Sequence, residues 1–262
     1  MKTKTQPARR LPRGIAAMVI FAFLTVGFLL NPGVRQSAVA AGQMSQDQLD
    51  QKIHDYIMAH PEVLMEALQS LDAKQREADA AEAKKSLIAR ADDLYRDKQS
   101  PIGGNAKGDV TIVEFFDYNC PYCRQMAPVV EQALADDPQV RIVYKEFPIL
   151  GPDSDFAAKA ALAADRQGKY DAFHKALYAV KSRVTEAVVL KVAEEVGLNV
   201  TRLKSDMQDA AIQAAIDRNM NLAQALKISG TPSFVVGDLI VPGATDLDTI
   251  KKLFQRARKT RK

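Results

Sequence analysis

The residues of this chain most able to do chemistry are its only two cysteines, Cys120 and Cys123. With Pro121 and Tyr122 between them, the two sulfurs can meet within one helical turn and can form and break a disulfide. The apolar run 110–116 predicts a buried strand and residues 120–135 predict a helix, which places Cys120 at the start of that helix.

A helix start favours the thiolate of Cys120, because free backbone N–H groups and the positive end of the helix dipole point at it. We expect Cys120 to lie on the exposed side and to attack, and Cys123 to lie further inside and to resolve the mixed disulfide. An inert structural disulfide is the alternative, but a bridge that closes so short a loop adds little stability.

The sequence gives little support for a zinc site or a haem attachment at these cysteines. A structural zinc site needs four ligands, and His54, His60 and His174 stand at no finger spacing; a c-type haem attachment needs a histidine where the chain has Arg124. We therefore expect no cofactor and no resident metal. A Cu(I) site of the two thiolates with nearby Met126 stays open, since soft sulfur ligands suit that ion. His54 and His174 are interpreted as surface or partly packed residues.

The segment 230–233 supports the cysteine site from a distance in the sequence. It precedes an apolar hairpin, and its Thr231–Pro232 bond is a candidate for the cis form. A cis proline that faces the disulfide leaves neighbouring backbone groups free to pair with an extended substrate. We predict that Thr231, Pro232, Pro121 and Tyr122 contact the substrate.

The order of elements predicts the fold class. A strand–helix–strand unit is followed by a helical block at about 152–226, then by a hairpin around residues 237–238 and a closing helix. This order indicates an α/β, thioredoxin-like fold with a helical insertion, which we place at residues 98–262.

The first forty residues have the pattern of an export signal. They contain six basic and no acidic residues, an apolar run at 15–30, and the small residues Ala38-Val39-Ala40 at a cleavage position. The run is shorter than the about 20 residues that span a bilayer, although an uncleaved anchor is the alternative. We predict a cleaved signal peptide at 1–40 and a periplasmic protein. Without those six residues, 30 basic residues face 32 acidic ones, so charge gives no support for a nucleic-acid partner.

Residues 41–97 read as a helical extension, with a single helix from Pro61 to about Asp97. Large apolar residues recur in it at helical spacing but are too few for an independent core. They must cover copies of themselves or pack back on the main domain, and we predict a homo-oligomer. We call them the N-terminal apolar stripe: Leu49, Ile53, Tyr56, Ile57, Leu64, Met65, Leu68 and Leu71.

Three segments resemble the DsbA family of thioredoxin-fold proteins, and the likeness covers about residues 98–258. They are Phe115-Phe-Asp-Tyr-Asn-Cys-Pro-Tyr-Cys-Arg124, Lys145-Glu-Phe-Pro-Ile-Leu-Gly151 and Gly230-Thr-Pro-Ser-Phe-Val235. His60-Pro-Glu-Val-Leu64 further resembles the N-terminal segment of the suppressor-of-copper-sensitivity C branch. Members of that branch can oligomerise and act as disulfide isomerases.

The resemblance implies roles for two further residues. Glu114, six residues before Cys120, resembles the buried proton acceptor of the resolving thiol, and Lys145 is its expected ion-pair partner. An ordinary structural salt bridge between the two is the alternative. Tyr122 replaces a histidine of the best-known family member, and we expect a less oxidising pair as a result.

The functional prediction is disulfide exchange on exported cysteine-containing proteins. We expect an oligomeric disulfide isomerase kept reduced by a membrane redox partner, and Thr231 resembles the residue before the cis proline of several isomerases. The alternatives are a monomeric dithiol oxidase, which a partner would reoxidise, and a Cu(I)-binding copper-tolerance protein.

Overall fold

The computed structural model describes residues 44–260, so the predicted signal peptide lies outside the described residues. The chain divides into two units between Leu64 and Met65. None of the helices within residues 44–260 has the length and apolar character needed to cross a bilayer.

The described part of the first unit is residues 44–64, and its main element is helix α1 (Gln46–Ala59). The Ser45 hydroxyl accepts from the Gln48 N–H, and the Gln48 side chain accepts from the Ser45 N–H, which is a complete capping box. None of the helix residues is buried. The stripe residues Leu49, Ile53 and Tyr56 are about half exposed, so this helix presents apolar surface to solvent.

Helix α2 runs from Pro61 to Ala89 and the short helix α3 from Ala91 to Tyr95. The predicted single helix to Asp97 is therefore wrong at one point: Arg90 leaves the helical conformation, with φ −108° and ψ 20°. No glycine or proline marks this position in the sequence. The backbone bonds from Arg90 N–H to Ser86 and from Leu94 N–H to Arg90 persist across the break, so the distortion is local.

Within the described residues, five strands form one sheet in the order β1-β3-β2-β4-β5. Strands β2 and β3 are parallel and every other neighbouring pair is antiparallel. The β-branched and aromatic residues of β2 suit a central strand. The strands are β1 (Ile102–Gly104), β2 (Val110–Phe116), β3 (Val140–Glu146), β4 (Ser233–Val236) and β5 (Leu239–Pro242).

Helices cover both faces of this sheet. Helix α4 connects the parallel strands and α10 packs against it, while five helices inserted between β3 and β4 complete the same core. These elements are α4 (Pro121–Asp136), α5 (Pro152–Asp165), α6 (Tyr170–Ala179), α7 (Glu186–Glu195), α8 (Val200–Asp206), α9 (Ala210–Ala225) and α10 (Leu247–Thr260). The predicted α/β thioredoxin-like fold with a helical insertion is confirmed.

A second core cluster lies on the other face of the sheet. Val113 and Phe115 of β2 pack there with Leu87 of α2 and Leu94 of α3, and Leu94 is completely buried. The core thus continues upstream of residue 98, where we placed the start of the domain.

Candidate active site

The cysteine pair lies at the junction of β2 and α4. Cys120 is the N-cap residue of α4, its sulfur accepts from the Cys123 N–H at 3.4 Å, and Pro121 occupies the first helical turn, where it leaves no N–H unpaired. Both cysteines are free thiols. The helix therefore presents its free N–H end to the Cys120 sulfur, as the sequence predicted.

The solvent exposure of the two thiols differs less than we expected. Cys123 is completely buried, and Cys120 is only 4% exposed, because the segment around Thr231 covers it. The prediction of an exposed Cys120 is wrong in this respect. Pro121 and Tyr122, between the cysteines, are both exposed, and Tyr122 is 61% exposed.

The Thr231–Pro232 segment lies against the attacking sulfur. Its peptide bond is cis, as predicted, and the Cys120 thiol donates to the Thr231 carbonyl at 3.2 Å. The Gly243 N–H donates to the Pro232 carbonyl at 2.8 Å, which holds the segment in place. The structure thus brings two of the four predicted substrate-contacting residues, Thr231 and Pro232, to the site that Pro121 and Tyr122 already occupy.

Glu114 lies beneath the pair on β2. It is 3% exposed, and burial raises its pKa to about 8. Burial also raises the pKa of Cys123, and the charge of Glu114 adds to that rise. A carboxyl group that titrates near neutral pH beside the buried thiol can accept a proton and return it.

Lys145 does not face Glu114, and the predicted ion pair between them is wrong. In the parallel ladder Glu114 stands opposite Tyr144, and Lys145 stands opposite Phe115. Because side chains alternate between the two faces of a sheet, Lys145 points away from the cysteines. Its buried ammonium group donates to the Asp93 carbonyl at 2.5 Å and to the Ser100 hydroxyl at 2.7 Å.

The Lys145 contacts hold the end of α3 on the sheet. The Asp97 carboxylate also pairs with the ammonium group at 3.4 Å. The last turn of α3 is therefore capped by the buried Lys145 cation, which binds the Asp93 carbonyl oxygen. Lys145 thus ties the extension to the core and does not take part in the cysteine site.

A buried polar group next to the cysteine loop was missed by sequence reasoning. The Glu146 carboxyl oxygen Oε1 accepts from Tyr170 at 2.9 Å and from Tyr118 at 3.3 Å, and the Tyr118 hydroxyl lies 3.0 Å from Nδ1 of His174. Burial raises the pKa of Glu146 well above its usual range and lowers that of His174 to about 3. His174 is therefore neutral and 6% exposed, which corrects its interpretation as a surface or partly packed residue.

One signal in the sequence could have pointed to this group. Glu146 ends β3 and Tyr118 follows the end of β2 by two residues. The carboxyl ends of adjacent parallel strands meet at one edge of a sheet, so polar residues there are candidates for contact.

The loop before Cys120 is also tied to the helical insertion. The Asp117 carboxylate accepts from the Ser154 hydroxyl at 2.7 Å and from the Leu150 N–H at 3.0 Å. The Asn119 side chain pairs with both backbone groups of Val184, at 2.9 and 3.0 Å. The position of the attacking sulfur is thus fixed from both the sheet and the insertion.

A cavity of ≈190 Å³ leads from the surface toward Glu114. Arg124 and Glu131 of α4 line it, together with His174 and Tyr178 of α6. Within residues 44–260 the buried Tyr178 hydroxyl has no hydrogen-bond partner, so the cavity brings an unpaired hydroxyl near the buried acid.

Two family models match this chain. The DSBA-like thioredoxin domain matches residues 111–255 and contains the whole site described above. The chain belongs to the DSBA-like thioredoxin family. A second model, the N-terminal domain of the copper resistance protein ScsC, matches residues 46–78. This match confirms the resemblance of the N-terminal segment to the suppressor-of-copper-sensitivity C branch.

Solved structures agree with this assignment. A thioredoxin-like oxidoreductase from Silicibacter pomeroyi is 51% identical, with a TM-score of 0.63 over 64% of this chain and 97% of its own. The catalytic domain of Proteus mirabilis ScsC is 29% identical, with a TM-score of 0.62 over 66% of this chain and 97% of its own. A periplasmic thioredoxin-like protein from Salmonella enterica serovar Typhimurium is 31% identical, with a TM-score of 0.59 over 65% and 95%.

Curated relatives include much longer proteins. Two Na(+)/H(+) antiporters, from Salinispora tropica and Salinispora arenicola, match at 34% and 30% identity over 52% and 57% of this chain. The chain spans only 21% and 23% of their lengths.

Proposed function

We propose that this chain is a periplasmic thiol–disulfide oxidoreductase that exchanges disulfides of exported proteins. The observation that carries the proposal is the Cys120 sulfur at the start of α4, 3.2 Å from the Thr231 carbonyl and with Glu114 buried beneath the pair. Several bacterial relatives carry names of disulfide exchange, among them the thiol:disulfide interchange protein DsbA of Bordetella parapertussis. The predicted signal peptide 1–40 supports the compartment.

The proposed reaction begins when the Cys120 thiolate attacks a disulfide of the client. The client S–S bond breaks, one client sulfur leaves as a thiolate, and a mixed disulfide joins the other to Cys120. The Cys123 thiol can then pass its proton to Glu114 and attack the Cys120 sulfur, which releases the client as a dithiol and leaves Cys120 and Cys123 oxidised. In isomerisation the departed client thiolate instead attacks a second client disulfide, which forms a new client disulfide and frees another client thiolate. That thiolate attacks the client sulfur joined to Cys120, so a further client disulfide forms and Cys120 leaves as the reduced thiolate.

Within this activity we propose that the protein is an oligomeric isomerase. The N-terminal apolar stripe supports this, since Leu64, Met65, Leu68 and Leu71 are 49–64% exposed. Apolar surface of this extent on a helix is typical of an interface. An isomerase needs a reducing membrane partner, whereas the alternative, a monomeric oxidase, needs an oxidising one.

Refolding of a scrambled multi-disulfide protein tests the isomerase proposal. Removal of residues 41–97 would also remove Leu87 and Leu94 from the core, so substitutions on α2 are the sharper test. Leu68→Glu with Leu71→Glu should abolish oligomers and reshuffling while leaving simple disulfide exchange intact. Gln69→Glu with Ser70→Glu adds the same charge on another side of the helix and should change neither.

The outcomes separate the alternatives. Reshuffling that persists in a monomeric Leu68→Glu, Leu71→Glu variant would refute the link between the stripe and isomerisation. A parent chain that is a monomer in solution and only oxidises reduced substrates would support the monomeric oxidase instead.

The Cu(I) alternative has less support from the site. Met126 is 1% exposed, and its sulfur accepts from the Thr245 N–H at 3.4 Å, so its sulfur already has a partner. Titration of the reduced protein with Cu(I) decides the question, because affinity tighter than micromolar would favour a copper site.

A further inference from the structure

A groove of ≈330 Å³ lies between helix α2 and the segment that precedes the cis peptide bond. Its size is at the low end of the about 300–1,000 Å³ range of ligand pockets. Most of its lining is apolar and comes from three parts of the second unit: Ala80 and Ala83 of α2, Ile228 and Thr231 before the cis bond, and Ile240 and Pro242 of β5.

The groove is continuous with the redox site. Thr231 lines it, and the carbonyl of the same residue lies 3.2 Å from the Cys120 sulfur. A client held by a disulfide to Cys120 must therefore pass beside Thr231. Since an extended chain advances about 3.3–3.6 Å per residue, the residues next to the client cysteine reach the groove.

Helix α2 forms one wall of this groove, and packing and ion pairs hold it there. Ala83 is 7% exposed, and Leu87, one turn further on, belongs to the second core cluster. The Lys227 ammonium group pairs with Glu82 at 3.0 Å and with Asp79 at 3.7 Å. These ion pairs are exposed and individually weak, so the burial of Leu87 and Ala83 contributes most to the placement.

We infer that α2 and the segment 226–231 form a binding subsite for an extended client segment, which places an apolar side chain next to Ala80. This inference rests on the proposed function and deepens it. The part of the chain that carries the apolar stripe would then also select clients, and it would favour segments with an apolar residue near the cysteine. Unfolded or wrongly paired proteins expose such segments, whereas folded proteins bury them.

Two substitutions on neighbouring helix positions test the inference in the full chain. Ala80 and Ala81 are both exposed, but only Ala80 is among the groove-lining residues. Ala80→Arg fills the groove with a long charged side chain, and Ala81→Arg adds the same charge outside it. The substrates are oxidised glutathione, which has no apolar side chain next to its cysteine to place in the groove, and an unstructured disulfide peptide with leucine next to its cysteine.

We expect Ala80→Arg to lower kcat/KM for the peptide at least fivefold, mainly through KM, and to leave the rate with oxidised glutathione unchanged. Ala81→Arg should match the parent with both substrates. Equal rates for Ala80→Arg and the parent with the peptide would overturn the subsite, and so would an equal loss with both substrates. A parent that exchanges with neither substrate would instead overturn the proposed function itself, and the subsite with it.

Discussion

The Tyr118 hydroxyl lies 3.0 Å from Nδ1 of His174, and this contact joins the loop before Cys120 to helix α6 of the insertion. The same hydroxyl lies 3.3 Å from the Glu146 carboxyl group. A phenol has one proton to donate, so donation to Glu146 leaves Nδ1–H of the neutral His174 to donate to Tyr118. The attacking cysteine, two residues later, is thus held by a buried side chain with two polar partners.

This relationship predicts that Tyr118→Phe slows exchange more than its loss of stability explains. Tyr170→Phe is the matched control, because Tyr170 is also buried and donates to the same Glu146 oxygen. Each substitution should cost about 1–2 kcal/mol of unfolding free energy. Only Tyr118→Phe should lower the rate constant with oxidised glutathione, by about three- to tenfold. Equal rates in the two variants would show that the Tyr118 contact is structural only.

Glu114 predicts a specific pH dependence of the second step. Because the pKa of Glu114 is about 8, its carboxylate form, which accepts the Cys123 proton, grows as the pH rises through that value. Release of a mixed disulfide on Cys120 by Cys123 should therefore accelerate between about pH 7 and 9 in the parent. In Glu114→Gln this inflection should disappear, and the rate at pH 8 should fall about tenfold or more.

Glu131→Gln is the control for this experiment. Glu131 borders the same cavity but its side chain is 54% exposed and pairs with Lys175. It should keep the inflection. If Glu114→Gln also keeps it, then Glu114 is not the proton acceptor.

Lys145 predicts a stability effect without an effect on the chemistry. Lys145→Met leaves the Ser100 hydroxyl and the Asp97 carboxylate without their buried cation, at a cost of about 2–4 kcal/mol. Lys159→Met removes a partly exposed pair with Asp155 and should cost about 1 kcal/mol or less. The pH profile of disulfide exchange should match that of the parent in both variants. A shifted profile in Lys145→Met would show that Lys145 does act on the cysteine site.

The sequence was sufficient for those parts of the site that depend on local geometry. The strand 110–116, the cysteine pair at the start of α4 and the cis bond before the hairpin all follow from spacing, turn chemistry and strand pattern. Local rules act over a few residues, and each of these features is complete within such a span.

Features that depend on strand register and on packing between distant elements could not be predicted from the sequence. The face to which Lys145 points depends on its pairing with Phe115 rather than Glu114, a shift of one residue that reverses the side. The burial of His174 depends on the rings of Phe116 on β2 and Tyr144 on β3, which are distant in the sequence, together with that of Tyr170 on its own helix. The break at Arg90 has no glycine or proline to mark it.

Trapping of the mixed disulfide tests the central claim most directly. In a Cys123→Ser variant the attack by Cys120 on a disulfide peptide cannot be resolved within the protein, so mass spectrometry should find one peptide joined to Cys120. The Cys120→Ser variant should form the corresponding adduct on Cys123 much more slowly, because the Cys123 thiol is completely buried and its pKa is raised. An adduct that forms equally fast in both variants, or in neither, would contradict the account of Cys120 as the attacking thiol.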